Sequence, residues 1–517
     1  MIDTIIEGAL IHDGLGTVPY RTDVAIVAER IALIGALDGR EAQHRIAAAQ
    51  HVLAPGFIDV HAHTDELWLE DGRCLGKIAQ GVTTEIGGNC GTSIPPLATG
   101  PQARWHDLDE FFAAVEQSGV ALNVATLVGL GTTRALVAGD RETRLDASEL
   151  RAEADLVRAA IEQGALGVSS GLIYAPSRYA ERDELIGCAK ASRDAGMPRY
   201  VTHLRSEGET LFEAVDEALD VGRRADVAVQ FSHHKAAGKK NWGKVEHSLE
   251  MIARARADGL RAFADVYPYV ASCTRLDTIL PQDAMIGGTD GTLERLRDPA
   301  TAAALALRLG LDRSTDADWH DIQISTVASE RNAALQGMRL DEIARLRRLS
   351  PPRAALDLLI EERLDVSAFF FAMSEDDVAT VLSADFVMIG SDASARAHDG
   401  PTAHGVPHPR TFGCFPRVLG RFVRGRKTFD LAEAIRRMTS LPADTFGLAE
   451  RGRIAVGAYA DLVLFDPATI VDTATYEQPY AYPRGIDRVW VNGRAVVSGG
   501  HATGARPGRA LRGGRAS

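Results

Sequence analysis

The chain begins and ends with short runs in which apolar and turn-forming residues mark β-strands, and between them the pattern changes to apolar, β-prone runs separated by helical stretches. Residues 5–14 read as a strand closing on an Asp-Gly turn, and residues 23–35 as a hairpin of apolar segments. From Leu53 onward, candidate strands at 55–61, 82–89, 122–129, 165–170, 199–203, 227–232, 261–267 and 385–390 alternate with helical stretches such as 107–118, 148–163, 182–194, 208–223 and 246–258. Eight such βα units predict an α/β fold, a (β/α)8 TIM-type barrel over residues 54–445. Its longest insertion, about 282–384, separates strands seven and eight and carries helical segments of its own. Strand-like runs return at 457–466 and 489–494, similar in character to the opening ones. The economical arrangement joins residues 1–53 and 446–500 in one small β-sandwich beside the barrel. Residues 501–517, rich in Gly and Arg, read as a flexible tail.

The length of 517 residues suits one large domain with an accessory one, and 45% apolar with 25% charged residues is ordinary for a globular enzyme. A net charge of −13 argues against nucleic acid or an anionic membrane as the main partner. The five cysteines are scattered and odd in number, which speaks against a disulfide framework and for a reducing compartment. The first residues lack a basic, then apolar, leader, and no uncharged apolar run approaches the ~20 residues of a membrane helix. The expectation is a cytoplasmic protein acting on a small molecule.

Catalytic groups of a parallel barrel sit at the C-terminal ends of its strands. The first strand leads into His61-Ala62-His63, and residues two apart on a strand share a face, so both imidazoles would converge as a divalent metal requires. Cys90 follows the Gly-rich end of the second strand. Later strand ends supply His203, the pair His233-His234 with Lys235, and Asp392. Each alone has a bland explanation: a buried cysteine, a structural histidine, a helix cap. Together, at matching positions on five strands, they favour a metal site. Thiolate and imidazole donors with one carboxylate favour zinc, and a thiolate can bridge two metals. Arg205 and Lys235 add positive charge nearby, Tyr267 and Tyr269 close the seventh strand, and Arg410 follows the eighth. A cationic rim in an acidic protein suggests an anionic substrate, most simply a carboxylate.

These segments resemble the amidohydrolase superfamily and, within it, the N-acyl-D-amino-acid deacylases. The resemblance runs from about Ile5 to Gly493 and includes Gly56–Asp65, Gly81–Glu85 with Gly88–Gly91, Ser170–Tyr174, Thr202–Glu207, Ser232–Lys235, Asp265–Tyr269, Met373–Val378, Gly390–Asp392 and His408–Arg410. Cys90 is the discriminating position, because many relatives bridge their metals with a carboxylated lysine. The resemblance implies that Cys90, His203 and His233 hold a tight zinc, and that His61, His63 and Asp392 form a second, weaker site. It makes Asp392 the proton-transfer residue, with Tyr174 assisting at the carbonyl oxygen. Lys235, Tyr267 and Arg410 would hold the substrate α-carboxylate. His233 is chosen over His234 because it shares a strand face with Lys235. The implied reaction is hydrolysis of N-acyl-D-amino acids. The runner-up is ring opening of a cyclic amide or imide, as in hydantoinases and dihydroorotases, and a scaffold that lost its chemistry is a third reading. The chain departs from the family pattern at Tyr174-Ala175-Pro176-Ser177, at Arg275, and in the long segment from Asp392 to Arg410. Arg275 is a candidate for pairing with an acidic substrate side chain.

Overall fold

The computed structural model describes residues 1–94, 104–139, 141–311 and 319–514. The barrel strands are Phe57–Asp59, Val82–Gly87, Asn123–Thr126, Val168–Gly171, Arg199–His203, Ala228–Phe231, Ala262–Val266 and Val387–Ile389. Successive strands pair in parallel, the third reaching the fourth through Val128 and Gly129 just beyond its end. The ring closes where Ala62 bridges Ala393 and the Asp392 amide donates to the His61 carbonyl at 2.8 Å. Every residue of the eight strands is buried except the half-buried Phe263. Helices cover the outer face and side chains fill the inner one, so these strands read as continuous apolar runs.

The covering helices follow from local chemistry. Asp146 and Glu149 form a capping box at the start of the helix Ala147–Glu162. Asp107 accepts from the Glu110 amide to start Leu108–Ser118. The helix Leu211–Ala225 buries Leu211, Ala214, Val215, Ala218, Leu219 and Gly222, a single stripe of i, i+3, i+4 spacing laid on the barrel.

The insertion between strands seven and eight starts earlier than the helical pattern suggests. An antiparallel three-stranded sheet of Ser272–Arg275, Ile322–Val327 and Val366–Phe370 frames it. Leu276, Ile322, Ile324, Leu340, Ile343, Leu356 and Leu359 belong to its separate apolar core. The helix Glu375–Ser383, capped by Ser374, belongs instead to the barrel wall and packs on the helix Lys244–Ala257.

Both chain ends enter one nine-stranded sheet. Strand Val52–Pro55 from the N-terminal part pairs with Leu462–Phe465 from the C-terminal part. At the far edge, the strand Arg30–Gly35 meets residues 457–460: the Ile31 amide donates to Ala458 O and the Ala460 amide to Glu29 O. The sheet thus curls back on itself around Ile6, Val24, Ile31, Leu53, Leu462 and Trp490. Residues 503–514 correct the expectation of a flexible tail. They run along the barrel, with the amides of Gly508, Leu511 and Gly513 donating to the carbonyls of Val120, Val124 and Gly164. Leu511 is buried, and Arg512 pairs with Asp109. The Gly and Arg composition hides this docking because backbone bonds, one apolar side chain and arginine pairs with distant partners such as Asp109 and Glu29 supply it. Among the described residues no helix is long and apolar enough to cross a membrane.

Candidate metal centre

Six donor side chains meet at the C-terminal mouth of the barrel. Cys90 Sγ lies 3.3 Å from His61 Nε2, 3.4 Å from His233 Nε2 and 3.8 Å from His203 Nδ1. Asp392 Oδ1 lies 3.0 Å from His63 Nε2 and 3.6 Å from His61 Nε2. Donors about 2.0–2.3 Å from a tetrahedral zinc stand roughly 3.3–3.7 Å apart. The spacing fits a metal, and so does the chemistry: one thiolate, four imidazoles and one carboxylate, nearly all buried and aimed at each other. Two overlapping sets share Cys90, one with His61 and His63 and one with His203 and His233.

The backbone is strained where it presents these donors. Cys90, His233 and Asp392 all have positive φ, at +52°, +35° and +51°. For non-glycine residues such a conformation costs on the order of 1–3 kcal/mol and persists only where surroundings enforce it. Here the Asp392 amide is fixed on His61 O, and the His233 amide donates to Asp265 Oδ1 at 2.9 Å. Asp265 also takes His61 Nδ1 at 3.1 Å, orienting that ring as a carboxylate does for metal-ligating histidines. Burial opposes ionisation of Cys90, but the charges of His61 and His233 and hydrogen bonds from His203 and His233 outweigh it, holding the thiol well below its ordinary range. Burial likewise opposes the Asp392 carboxylate, and Arg410, His233, His63 and His61 overcome it, so this carboxyl ionises well below the usual range.

The rim holds the cationic groups unequally. Arg410 Nη1 stands 2.9 Å from Asp392 Oδ2, its guanidinium lies 4.4 Å from the Tyr267 ring centre, and its position is set by His408, whose Nδ1 accepts from the Arg410 amide. Arg410 Nε and the Tyr267 hydroxyl are buried with no hydrogen-bond partner among the described residues. Lys235 Nζ is already engaged, 2.5 Å from Glu207 Oε1 and 2.9 Å from His233 Nδ1. Arg205 lies outside the site, tied to Glu217 and to the carbonyls of Arg178 and Ala180. Arg275 is half-exposed and held on Asp277 at 2.7 Å. The Tyr174 ring sits edge-on to His203, 5.2 Å between centres, and its hydroxyl meets Thr274 Oγ1 at 2.9 Å. His234 points into packing: its Nε2 meets Ser248 Oγ at 2.8 Å, and burial together with Lys235 pushes its pKa down to about 4.

Two residues that lie in the family-like segments but were given no role complete the centre. Glu207 bridges Lys235 and His233, and Asp265 orients His61. For Glu207 burial opposes ionisation, but Lys235, His203 and His233 hold it well below the usual carboxylate range. The available signal for Asp265 was an acid in an otherwise apolar strand, since a buried charge needs a partner. Beneath the centre, Lys77 Nζ contacts Asp59 at 2.6 Å, Ser391 Oγ and Ala393 O at 2.9 Å each, and Glu85 at 3.1 Å, all fully buried apart from Ala393, whose side chain is nearly so.

A (β/α)8 barrel with histidine, cysteine and aspartate donors converging at its mouth defines a metal-dependent amidohydrolase. The chain belongs to the amidohydrolase family, whose model matches residues 45–497. It is 37% identical to the N-acyl-D-glutamate deacylase of Alcaligenes xylosoxydans xylosoxydans, over 99% of this chain and 96% of that one. The D-aminoacylase of the same organism is 36% identical over 98% and 97%. The crystal structure of an N-acyl-D-glutamate deacylase from Bordetella bronchiseptica, complexed with zinc and a phosphonate mimic of the tetrahedral intermediate, superposes with a TM-score of 0.85 at 34% identity, covering 99% of both chains. A D-hydantoinase, at 16% identity and a TM-score of 0.57, shares the fold alone.

Proposed function

We propose that this enzyme hydrolyses the amide bond of N-acyl-D-amino acids to a carboxylate and the free D-amino acid, with zinc as its resident metal. The observation that carries the reading is the juxtaposition of the thiolate-containing donor cluster with buried, unpartnered donors on Arg410 and Tyr267. Buried donors of that kind are satisfied by an anion, and an N-acyl amino acid brings one carboxylate next to one scissile amide. A hydantoin or dihydropyrimidine ring without a carboxylate would leave these donors unsatisfied, which weakens the hydantoinase side of the ring-opening alternative. The D configuration is supported by the deacylases and D-aminoacylase to which the chain is similar over nearly its full length.

In this reading Cys90, His203 and His233 hold the tighter zinc, and His61, His63 and Asp392 a weaker one. Zinc supplies acidification of water and polarisation of a carbonyl. Asp392 takes the proton of the attacking water on its carboxylate and returns it to the departing nitrogen, which leaves poorly until protonated. Arg410 and Tyr267, with the charge of Lys235 beside them, fix the α-carboxylate and so aim the amide at the donor cluster. Tyr174 stands next to His203, within reach of the carbonyl oxygen side of such a substrate. Arg275 is the candidate selector for an acidic side chain, which it would bind in exchange for Asp277.

The test is amino-acid release by the zinc-loaded protein from N-acetyl amino acids paired as D and L. Release from D substrates alone is the expected result, with Arg275→Ala selectively impairing D-Glu or D-Asp substrates. Absence of release from every linear N-acyl amino acid sinks the proposal.

A further inference from the structure

Described residues of the loops after the second, third and fourth barrel strands line an open cavity of about 390 Å³. Cys90 and Tyr174 stand at its inner end, and Ile94, Ala135, Leu136 and Pro176 line its walls. The Thr132 hydroxyl in the wall is turned away, donating to Ser93 O at 3.2 Å. The space exists because the loops meet through backbone. The Gly131 amide donates to Gly91 O at 2.9 Å, and a Cβ on Gly131 would come within 2.6 Å of Ser177 Oγ. Among the described residues no side chain grows from that floor to fill the volume. Leu136 lies 36% exposed on the helix Leu130–Ala138, and Ala135 beside it is exposed too.

The position of this cavity matters more than its size. Lys235, Tyr267 and Arg410 follow strands six, seven and eight, whereas the cavity lies over strands two to four. In a ring of eight strands these arcs are opposite, with the donor cluster between them. Cys90 belongs to both the cluster and the cavity. In an N-acyl amino acid the carboxylate and the acyl chain leave the scissile amide in opposite directions. A carboxylate on Arg410 therefore sends the acyl chain past Cys90 into the cavity.

Resting on the deacylase reading above, we propose that this cavity is the acyl subsite and that it takes an unbranched apolar acyl chain of several carbons rather than acetyl alone. An acetyl methyl group leaves most of it to solvent. Each further methylene enters an apolar wall, and burial of one methylene corresponds to about a three- to fourfold gain in binding.

The experiment compares kcat/KM for the acetyl, butanoyl and hexanoyl derivatives of one D-amino acid on the zinc-loaded enzyme and on Ala135→Trp. Inhibition by free acetate and hexanoate is measured alongside. The wild type is expected to gain about threefold per methylene and to bind hexanoate more tightly than acetate. Ala135→Trp, which places an indole in the cavity, should bring the hexanoyl-to-acetyl ratio to one or below and abolish the preference for hexanoate. Leu136→Glu, at an exposed wall position, gives the same readout through charge should the tryptophan variant fail to fold. Turnover of the acetyl substrate with no chain-length preference overturns the acyl subsite alone, as does a ratio unmoved in a folded variant. Failure to release amino acid from any derivative overturns the deacylase reading and this inference with it.

Discussion

Two buried clusters of ionisable groups adjoin at the first and second barrel strands, and they are built on opposite principles. In the lower one, Lys77 meets Asp59 and Glu85, and its remaining donors reach Ser391 Oγ and Ala393 O. Cation faces anion, and Lys77 has every donor used. In the upper one, Cys90, His61, His63, His203 and His233 turn lone-pair donors toward one another, with Asp392 adding a carboxylate. Nothing in the protein resolves that crowding of like groups except protons or a cation. The difference separates an ion cluster whose lysine has its donors satisfied within the protein, leaving only Glu85 Oε2 without a hydrogen bond, from a donor cluster whose lone pairs fit a metal.

A catalytic upper cluster cannot tolerate loss of its carboxylate. Asp392→Asn should retain much of its zinc by elemental analysis yet lose roughly 10²–10⁴-fold in kcat, the range of a general acid–base group. Near-normal turnover would remove the proton shuttle. The lower cluster should answer in stability instead. Lys77→Met leaves two buried carboxylates unpaired and is expected to cost about 3–5 kcal/mol in urea unfolding. A folded, stable Lys77→Met with collapsed kcat would place the lower cluster in the chemistry.

Glu153 falls between the two cases and sharpens the rule. It is fully buried, and its carboxyl takes a hydrogen bond from Thr133 Oγ1 at 2.9 Å. Burial first, and then the charge of Glu184, raise its pKa from 4.5 to about 7. The folded state thus holds its proton more tightly than the unfolded chain. Stability is full below the ordinary carboxyl range and falls as pH rises toward about 7, by on the order of 2–3 kcal/mol. Glu153→Gln should flatten that part of the unfolding profile, and an unchanged slope would mean the carboxyl is ionised in the fold. The smallest expected effect is at the rim. Arg410→Lys exchanges a planar fork for a point charge and should raise KM about tenfold with less change in kcat. An unchanged KM would take Arg410 out of carboxylate binding.

The barrel was legible because parallel strands covered by helices read as apolar runs, and each of the eight observed strands lies within or beside its expected segment. The donors were legible because histidine, cysteine and aspartate recur just past those runs. Two pairs among them are not placed by strand pleating. Alternation along a strand was invoked for His61 with His63 and for His233 with Lys235, yet the strands end at Asp59 and Phe231. These side chains are aimed by turns with left-handed residues and by Asp265, not by pleating. What stayed hidden depends on distant pairing. Glu207 is unremarkable until Lys235 folds onto it, and Lys77 until Asp59 and Glu85 surround it. The docked tail was hidden because backbone amides, which every sequence carries, make most of its contacts.

Ring closure between the first and eighth strands has a consequence for the order of assembly. His63 and Asp392 are separated by 329 positions, and the contact that joins them is the seam of the barrel. A chain emerging from the ribosome presents His61, His63 and Cys90 early, within one local stretch, while the carboxylate arrives only when most of the polypeptide has been made. Closing so long a loop is among the slowest steps open to such a topology. The centre is therefore a late product of folding, and any metal that meets the nascent chain finds the thiol and two imidazoles without the carboxylate of Asp392.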